Sequence, residues 1–570
     1  MNDNRNMLLA IVLSALVLIG WSFLSEKFLP TAGPQTQQVE DGKVKAAPAP
    51  QAAPAADATQ PIRPREVVLG ETPRVKVETP RLEGSINLRG ARFDDLVLVR
   101  QRETIDPNSP PVRLLSPAGT KDNYFAQFGW SGQGVATPDA NSLWTASAPV
   151  LAPGKPVTLS WTNPTGQKFE LIVSVDDGYM FTVKQRVVNG GTAAVGLRAF
   201  ALASRANKAP DASSWTQHIG PNSFLGGKAN YDVDWETLDE NKAGVTVDSR
   251  GGWLGFTDKY WLTALIPASG APVEASFRKS ASGAYQADYA GTPFLVAPGQ
   301  AVSTEAHFFS GAKEKRLLDR YENEGVTSLS KSIDWGWFEW FMRPIFNLLN
   351  WLFGVLGNFG LAIIALTIIV RTILFPIADK QFRSMAGMRK VQPKMKALQE
   401  RYKDDKPKLQ QEMLKLYQEE KINPAAGCLP ILLQIPIFYA LYKVLLVSVE
   451  MRHQPFYLWI KDLSAPDPLT PVNLFGLLPF TPPGFLAIGV LPILLGITMW
   501  IQFKLNPQQP DPVQAQIFSI MPWVLMFIMA PFAAGLQLYW VTNNILSIGQ
   551  QAWLYKRYDM HLSDTHPIKT

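Results

Sequence analysis

Cysteine is almost absent. Cys428 is the only one in 570 residues, so no internal disulfide can form, and its thiol reads as a small apolar side chain near a helix start. Acid is missing from the long apolar runs: the nearest carboxylate is Glu450, at the very end of its segment, and the other runs hold none. The signals of enzyme chemistry are missing too. There is no nucleotide phosphate loop, no nucleophile elbow and no metal-ligand spacing, and the stretch from Arg65 to Gly311 offers only His218 and His307. No catalytic set, cofactor or metal is therefore expected, and any work must draw on partitioning and on the membrane potential.

What is present is a base inside an apolar run. Phe359 to Ala378 supplies the roughly 20 mostly apolar residues that a spanning helix needs, and Arg371 lies within it. An arginine there costs about 2.5–3.5 kcal/mol on insertion scales and usually has a function or a partner. With no intramembrane acid to pair with, Arg371 is expected to face water or neutral polar groups, which implies a wet cavity inside the membrane. Thr367, four residues earlier, shares its helix face.

The chain divides by texture. Met7 to Leu24 is an apolar run after a short polar start, and no clear small-x-small site follows it; an uncleaved signal anchor (1–29) is favoured over a cleaved signal peptide. Residues 30–64, rich in Pro, Ala and Gln, read as a disordered linker. A β texture runs through 65–330. Phe169–Val175 alternates up to Asp176-Asp-Gly178 and resumes at Tyr179, a hairpin signal. Further strands are expected at Arg74–Glu78, Leu96–Arg100, Val157–Trp161 and Ala301–Phe309, together a large β-sandwich whose role is binding or scaffolding. Lys313 to Leu329 is a helix candidate leading out. Residues 331–353 hold four tryptophans among Asp334, Glu339 and Arg343, which suits a helix lying flat at the membrane interface; an ordinary amphipathic core helix is the alternative.

After the arginine helix, Asp379 to Lys421 carries twelve bases against seven acids, which places it in the cytoplasm. It reads as a helical hairpin. Met385, Met388 and Met395 recur at helical steps on the first arm, and Met413 lies on the second. The stripe is either hairpin packing or an adaptable surface for varied apolar segments. Four more spans are expected at Cys428–Val449, Gly484–Leu505, Val513–Phe532 and Leu536–Tyr555. The loop Met451–Pro483, with only Arg452 and Lys461 as bases, falls outside, and Asn506–Pro512 is an inside turn. Polar side chains dot these spans: Gln434, Gln514, Gln516, Ser519, Gln537, Tyr539, Trp540, Thr542, Asn543 and Asn544. Interhelical hydrogen bonding explains most of them singly; together with Arg371 they could line a hydrated groove. Arg371 lies about 18 Å from the outer end of its helix at 1.5 Å per residue, in the cytoplasmic half, so a groove there opens to the cytoplasm.

Several of these pieces carry a family resemblance. Thr367 to Arg371 with Pro376, Met385–Pro393, Asn423-Pro-Ala-Ala-Gly-Cys428 through Phe438, Trp459–Ser464 and Gly535–Asn544 resemble the YidC/Oxa/Alb insertase family. The resemblance covers nearly the whole chain. It implies a polytopic α-helical membrane protein of six spans with a five-helix insertase core (354–560), both termini cytoplasmic including the tail 561–570, and a large periplasmic all-β supersandwich, in a bacterial inner membrane. It implies an insertase and chaperone that passes nascent membrane proteins from a cytoplasm-open hydrophilic groove into the lipid bilayer. Its partners would be the Sec translocon, the translating ribosome and the targeting receptor, with no nucleic acid read. Arg371 would be the groove's arginine, with Thr367, Gln434, Gln516, Tyr539, Trp540 and Asn543 around it. The chain departs from the family pattern at Trp540, where a second tyrosine is expected, and at Lys443, an extra charge in the third span near enough its outer end to snorkel. The loop Met451–Pro483 is also extended. The rival reading is a transporter or channel binding a small anion at Arg371, which predicts internal repeats; none is visible.

Overall fold

The computed structural model describes residues 62–210, 217–241, 243–336, 338–402, 405–420, 429–478, 480, 482–483, 487–505 and 512–557. All of these lie in one compact unit, 47–570. The expected first span, nearly all of the 30–64 linker, Asn423–Cys428, the turn before Pro512 and the 561–570 tail lie outside the described residues.

The β region folds as two sheets, of eleven and nine strands among the described residues. The first runs from Val245–Arg250 at one edge to Val150–Leu151 at the other, and the second from Lys228–Asn230 to Thr145–Ala146. The expected hairpin forms as Gln167–Val175 paired with Met180–Asn189. Its turn is fixed by Asp176, whose Oδ1 accepts from the amides of Gly178 at 2.9 Å and Met180 at 3.0 Å. Alternation drives the sandwich, because every second side chain of a strand faces the same way. Phe93 and Phe128 of the larger sheet meet Phe181 and Phe308 of the smaller at centroid separations of 5.3–6.2 Å. Gly311 is needed where it stands: a Cβ there would lie 2.2 Å from Tyr179 Cγ.

Two short helices, α1 (Arg65–Gly70) and α2 (Trp235–Glu240), accompany the sheets, and α3 (Lys315–Asn323) leads out. Tyr321 of α3 binds the hairpin turn, donating to Asp176 Oδ2 at 2.7 Å and accepting from the Tyr179 amide at 2.9 Å. The helix expected over 331–353 is α4, Glu339–Leu356. It starts later because Asp334 takes the Gly336 amide at 2.9 Å and Gly336 is left-handed at φ 70°, a turn that a helix cannot continue through. Met342, Phe346, Leu349 and Leu352 are buried on one side of α4, while Trp340, Trp351 and Val355 are exposed on the other.

Next, α5 runs unbroken from Phe359 to Arg401, 43 residues through Pro376 and Pro393. The apolar segment and the first arm of the hairpin are thus one helix. The change from apolar to charged at Asp379 marks a change of solvent, and Lys, Gln, Arg, Met and Ala all propagate a helix well. After it come α6 (Lys406–Glu419), α7 (Leu429–Val447), α8 (Val490–Leu505), α9 (Pro512–Met529) and α10 (Ala534–Arg557). Among the described residues only Phe359–Asp379 is long and apolar enough by itself to cross a membrane; Ile435–Val447, Val490–Leu505 and Gln516–Met529 are shorter apolar helices. Helix α8 starts at Val490 rather than Gly484. Asp467 binds its first turn, accepting the Leu491 amide at 2.7 Å, and a side chain at Gly489 would strike Asp467 at 2.6 Å.

The helices are fastened to the β domain by polar contacts, some of them buried. Lys443 does not snorkel: it is 2% exposed and donates to Asp334 Oδ2 at 3.3 Å. The same carboxylate oxygen accepts the His218 amide of the β domain at 2.9 Å. Glu450 accepts the Lys315 amide at 3.1 Å, and Arg452 donates to the Arg102 carbonyl at 2.7 Å. Lys313 is fully enclosed, giving its ammonium protons to Thr257 Oγ1 at 2.9 Å and the Asp258 carbonyl at 2.8 Å.

Burial pushes Lys313 down to about 7, against attraction from Asp258 and Asp334 and with help from Lys443. Between that value and 10.5 the unfolded chain holds a proton that the folded one lacks, so stability rises with pH across this window. The urea midpoint for exchange of the β-domain core amides, measured in the full chain, should rise from neutral to alkaline pH. Lys313→Met should flatten that rise.

Candidate functional site

Asn358 caps α5 by accepting the Leu361 amide at 3.1 Å, which sets the helix phase for Arg371 three turns on. Arg371 is half-buried, and its neighbours Ile368 and Thr372 are exposed. Its Nε donates to Asn543 Oδ1 at 2.7 Å, and its Nη2 to the Asn543 carbonyl at 3.3 Å and to Ser547 Oγ. The Ser547 hydroxyl passes its own proton to the Asn543 carbonyl at 2.6 Å. Among the described residues no carboxylate pairs with Arg371, and Nη1 meets no hydrogen-bond partner. The guanidinium therefore joins α5 to α10 through acceptors that, among the described residues, are all neutral. Neutral acceptors orient a guanidinium without cancelling its field, so an anionic group arriving at Nη1 would meet a full charge.

The other expected site residues are distributed differently. Thr367 is buried, with its hydroxyl turned back to the Ile363 carbonyl of its own helix at 2.7 Å. Tyr539 is buried, and Trp540 tilts against Phe438 of α7 with centroids 4.5 Å apart, an apolar contact between helices. Gln516 is exposed at the start of α9. The side chain of Gln434 lies outside the described residues. Thus Asn543 is brought to Arg371, while Thr367 and Trp540 serve packing. Ser547 was missed from the sequence; its spacing of four from Asn543 on one helix face is the signal that could have found it.

Neighbouring polar groups of α10 act as interhelical ties. Asn544 donates to Thr498 Oγ1 of α8 at 3.1 Å. Gln537 donates to the Met529 and Phe532 carbonyls, both at 2.8 Å, and so satisfies the end of α9. In the hairpin, Met395 is buried with Val391 and Leu416, and Met413 packs against them from α6. These two methionines are thus taken up by hairpin packing; the side chains of Met385 and Met388 lie outside the described residues. Outward faces carry ion pairs, Lys394–Glu420 at 2.5 Å and Lys415–Glu412 at 2.7 Å. A cleft of about 660 Å³ opens in the β domain beside Arg198, Asp248, Arg250 and Glu274, away from Arg371. Among the described residues no three His, Cys, Asp or Glu side chains gather as metal ligands would.

Residues 351–561 match the family model described as 60Kd inner membrane protein, and residues 74–348 match the YidC periplasmic domain. The chain is 49% identical over 560 residues to the membrane protein insertase YidC of Zymomonas mobilis subsp. mobilis, covering 98% of this chain and 96% of that one. It is 45% identical over 581 residues to the insertase of the same name from Rhizobium etli, covering 99% and 97%. Among solved structures it resembles an active YidC insertase with its first transmembrane domain resolved, at 19% identity and a TM-score of 0.37, over 86% of this chain and 94% of that one.

The Arg371–Asn543 contact should be measurable as a coupling. Asn543→Leu leaves a guanidinium without its main acceptor and should destabilise the helical core by about 2 kcal/mol, the usual cost of losing hydrogen bonds to a charged group. Arg371→Met with Asn543→Leu should cost clearly less than the sum of the two single changes in a thermal double-mutant cycle on the full chain in detergent. Strict additivity would mean that the contact contributes nothing.

Proposed function

The chain belongs to the YidC family of membrane protein insertases, and from that premise we propose that Arg371, held between α5 and α10, is where a substrate's polar tail is briefly received. The protein inserts other proteins into the inner membrane, carries its β domain in the periplasm, and is not an enzyme. Its substrates are nascent membrane proteins and its medium is the lipid bilayer. Family membership does not favour the anion-transporter reading.

In the mechanism proposed, the chain crosses the membrane six times with both termini in the cytoplasm. A hydrophilic groove around Arg371 opens to the cytoplasm and to lipid, and the 379–421 hairpin, with its basic surface, meets the emerging chain. An incoming tail enters the groove while its apolar segment slides into lipid past α7 and α9. Delivery comes from a translating ribosome and a targeting receptor, and the Sec translocon shares some substrates. The observation that carries this reading is the state of Arg371: half-exposed, oriented by Asn543 and Ser547, and with no carboxylate partner among the described residues. At an effective dielectric near 20, opposite charges about 4 Å apart attract by roughly 4 kcal/mol before desolvation. That suffices to hold a tail briefly and to let it go.

Two experiments test it. Arg371→Ala should impair insertion of substrates with acidic translocated tails far more than of neutral-tail partners, and Arg371→Lys should retain part of the function, since the charge stays while the planar fork is lost. Equal insertion of acidic tails by Arg371→Ala and by the parent protein would end the capture mechanism. For the topology, periplasm-active reporters fused after Gly220 or Ser464 should be active and those after Lys403 or Pro507 inactive; activity at Lys403 would overturn the arrangement.

A further inference from the structure

We propose that the tip of the loop between α7 and α8, Leu474 to Leu478 together with Phe480, is a lipid-docking element seated in the outer leaflet of the bilayer. The proposal rests on the topology above, in which this loop lies on the periplasmic side.

Composition points there first. Residues 468–489, the second half of the connection between α7 and α8, contain no Asp, Glu, Lys, Arg or His, whereas the first half carries Glu450, Arg452, Lys461, Asp462 and Asp467. Exposure comes next. Leu477 is 82% exposed, Leu474 and Phe475 are each 53% exposed, and Leu478 and Phe480 are exposed beside them. Leu474 and Phe475 take left-handed φ of 50° and 59°, a conformation costing about 1–2 kcal/mol each outside glycine. The tip is thus held in a costly turn that leaves its large apolar side chains uncovered.

Placement follows from hydrogen bonds at the foot of the loop. The Ala534 and Gly535 amides, at the start of α10, donate to the Ala465 and Leu463 carbonyls at 2.7 and 2.9 Å. The Val490 amide, at the start of α8, donates to the Leu469 carbonyl at 3.0 Å, and Asp467 takes the Leu491 amide at 2.7 Å. Both helix starts face outward in the proposed topology, so the loop is pinned at the bilayer surface. Helix length gives the tip something to cover. The 16 residues of α8 span about 24 Å at 1.5 Å each, short of the roughly 30 Å hydrocarbon thickness.

A protein partner would favour an apolar centre ringed by polar and charged groups, and 468–489 supplies no charged rim. The zwitterionic interface of a lipid leaflet requires none. Irregular backbone is not tolerated in the hydrocarbon itself, so the tip sits at headgroup depth, as exposed Trp340 and Trp351 of α4 would.

The test uses the purified full chain with Cys428→Ser, reconstituted sparsely into phosphatidylcholine vesicles. Single cysteines at Leu477→Cys (tip), Lys461→Cys (foot) and Asp106→Cys (β domain) carry a polarity-sensitive bimane. The tip label should be quenched several-fold more than the Asp106→Cys label by a nitroxide placed on the lipid near its headgroup, and several-fold less by aqueous iodide. Iodide quenching of the tip equal to that of the Asp106→Cys label would overturn the proposal. Quenching by neither reagent would mean that protein covers the tip, and would overturn it equally. Should Leu477→Cys fail to accumulate, Phe480→Cys replaces it with the same readout. Sidedness is read separately, by labelling Lys461→Cys with an impermeant maleimide in spheroplasts. Failure there refutes the topology, whereas lipid contact at the tip is decided in the vesicles.

Discussion

The structure depends on a cation placed among neutral acceptors. Arg371 is costly in an apolar helix, and among the described residues no carboxylate offsets it. An ion pair would have bound the guanidinium tightly and left no field for anything else. Asn543 and Ser547 instead satisfy Nε and Nη2, which fixes the plane of the side chain, and leave the charge standing. The side chain is thus oriented by its acceptors without being neutralised by them. A buried Arg–Glu pair would be self-sufficient and would have no reason to exchange partners.

A second charge is handled the opposite way. Lys443 is as hidden as any core residue and does meet a carboxylate, Asp334. Asp334 at the same time holds the His218 amide of the β domain. One side chain thus ties α7 to the periplasmic sandwich and to the strap leading into α4. The two cations differ in their partners: among the described residues Lys443 meets a carboxylate, whereas Arg371 meets only neutral acceptors.

Much of this was legible in the residues. The hairpin at 169–185 was readable because strict alternation and an Asp-Asp-Gly turn leave few other folds. That Arg371 would meet neutral acceptors such as Asn543 was readable because the apolar runs contain no acid within them. What was not legible was rotation and reach. Sequence periodicity gives a helix a face but no neighbour, so it could not tell that Thr367 bonds to its own helix or that Trp540 packs on Phe438. The partner of Lys443 lies 109 residues away in the chain, on a segment whose four tryptophans drew attention to the membrane interface instead. The late starts of α4 and α8 escaped notice for a related reason: each is set by a carboxylate, Asp334 or Asp467, taking a backbone amide at a turn.

The last step concerns α10. Asn543 and Asn544 are adjacent, so on a helix they point about 100° apart. One meets α5 through Arg371 and the other meets Thr498 of α8, while Gln537, two turns earlier, closes the end of α9. Three helices are therefore hung on one by polar contacts. Apolar packing between helices inside a membrane gains little from the hydrophobic effect, because lipid is as apolar as leucine; directional bonds must set the geometry. The polar residues of α10 thus do together what each could be dismissed for singly. They fix the helices around Arg371 so that the guanidinium's position is a property of the whole bundle. Displacement of the arginine would load α10 first, and through its polar contacts α8 and α9.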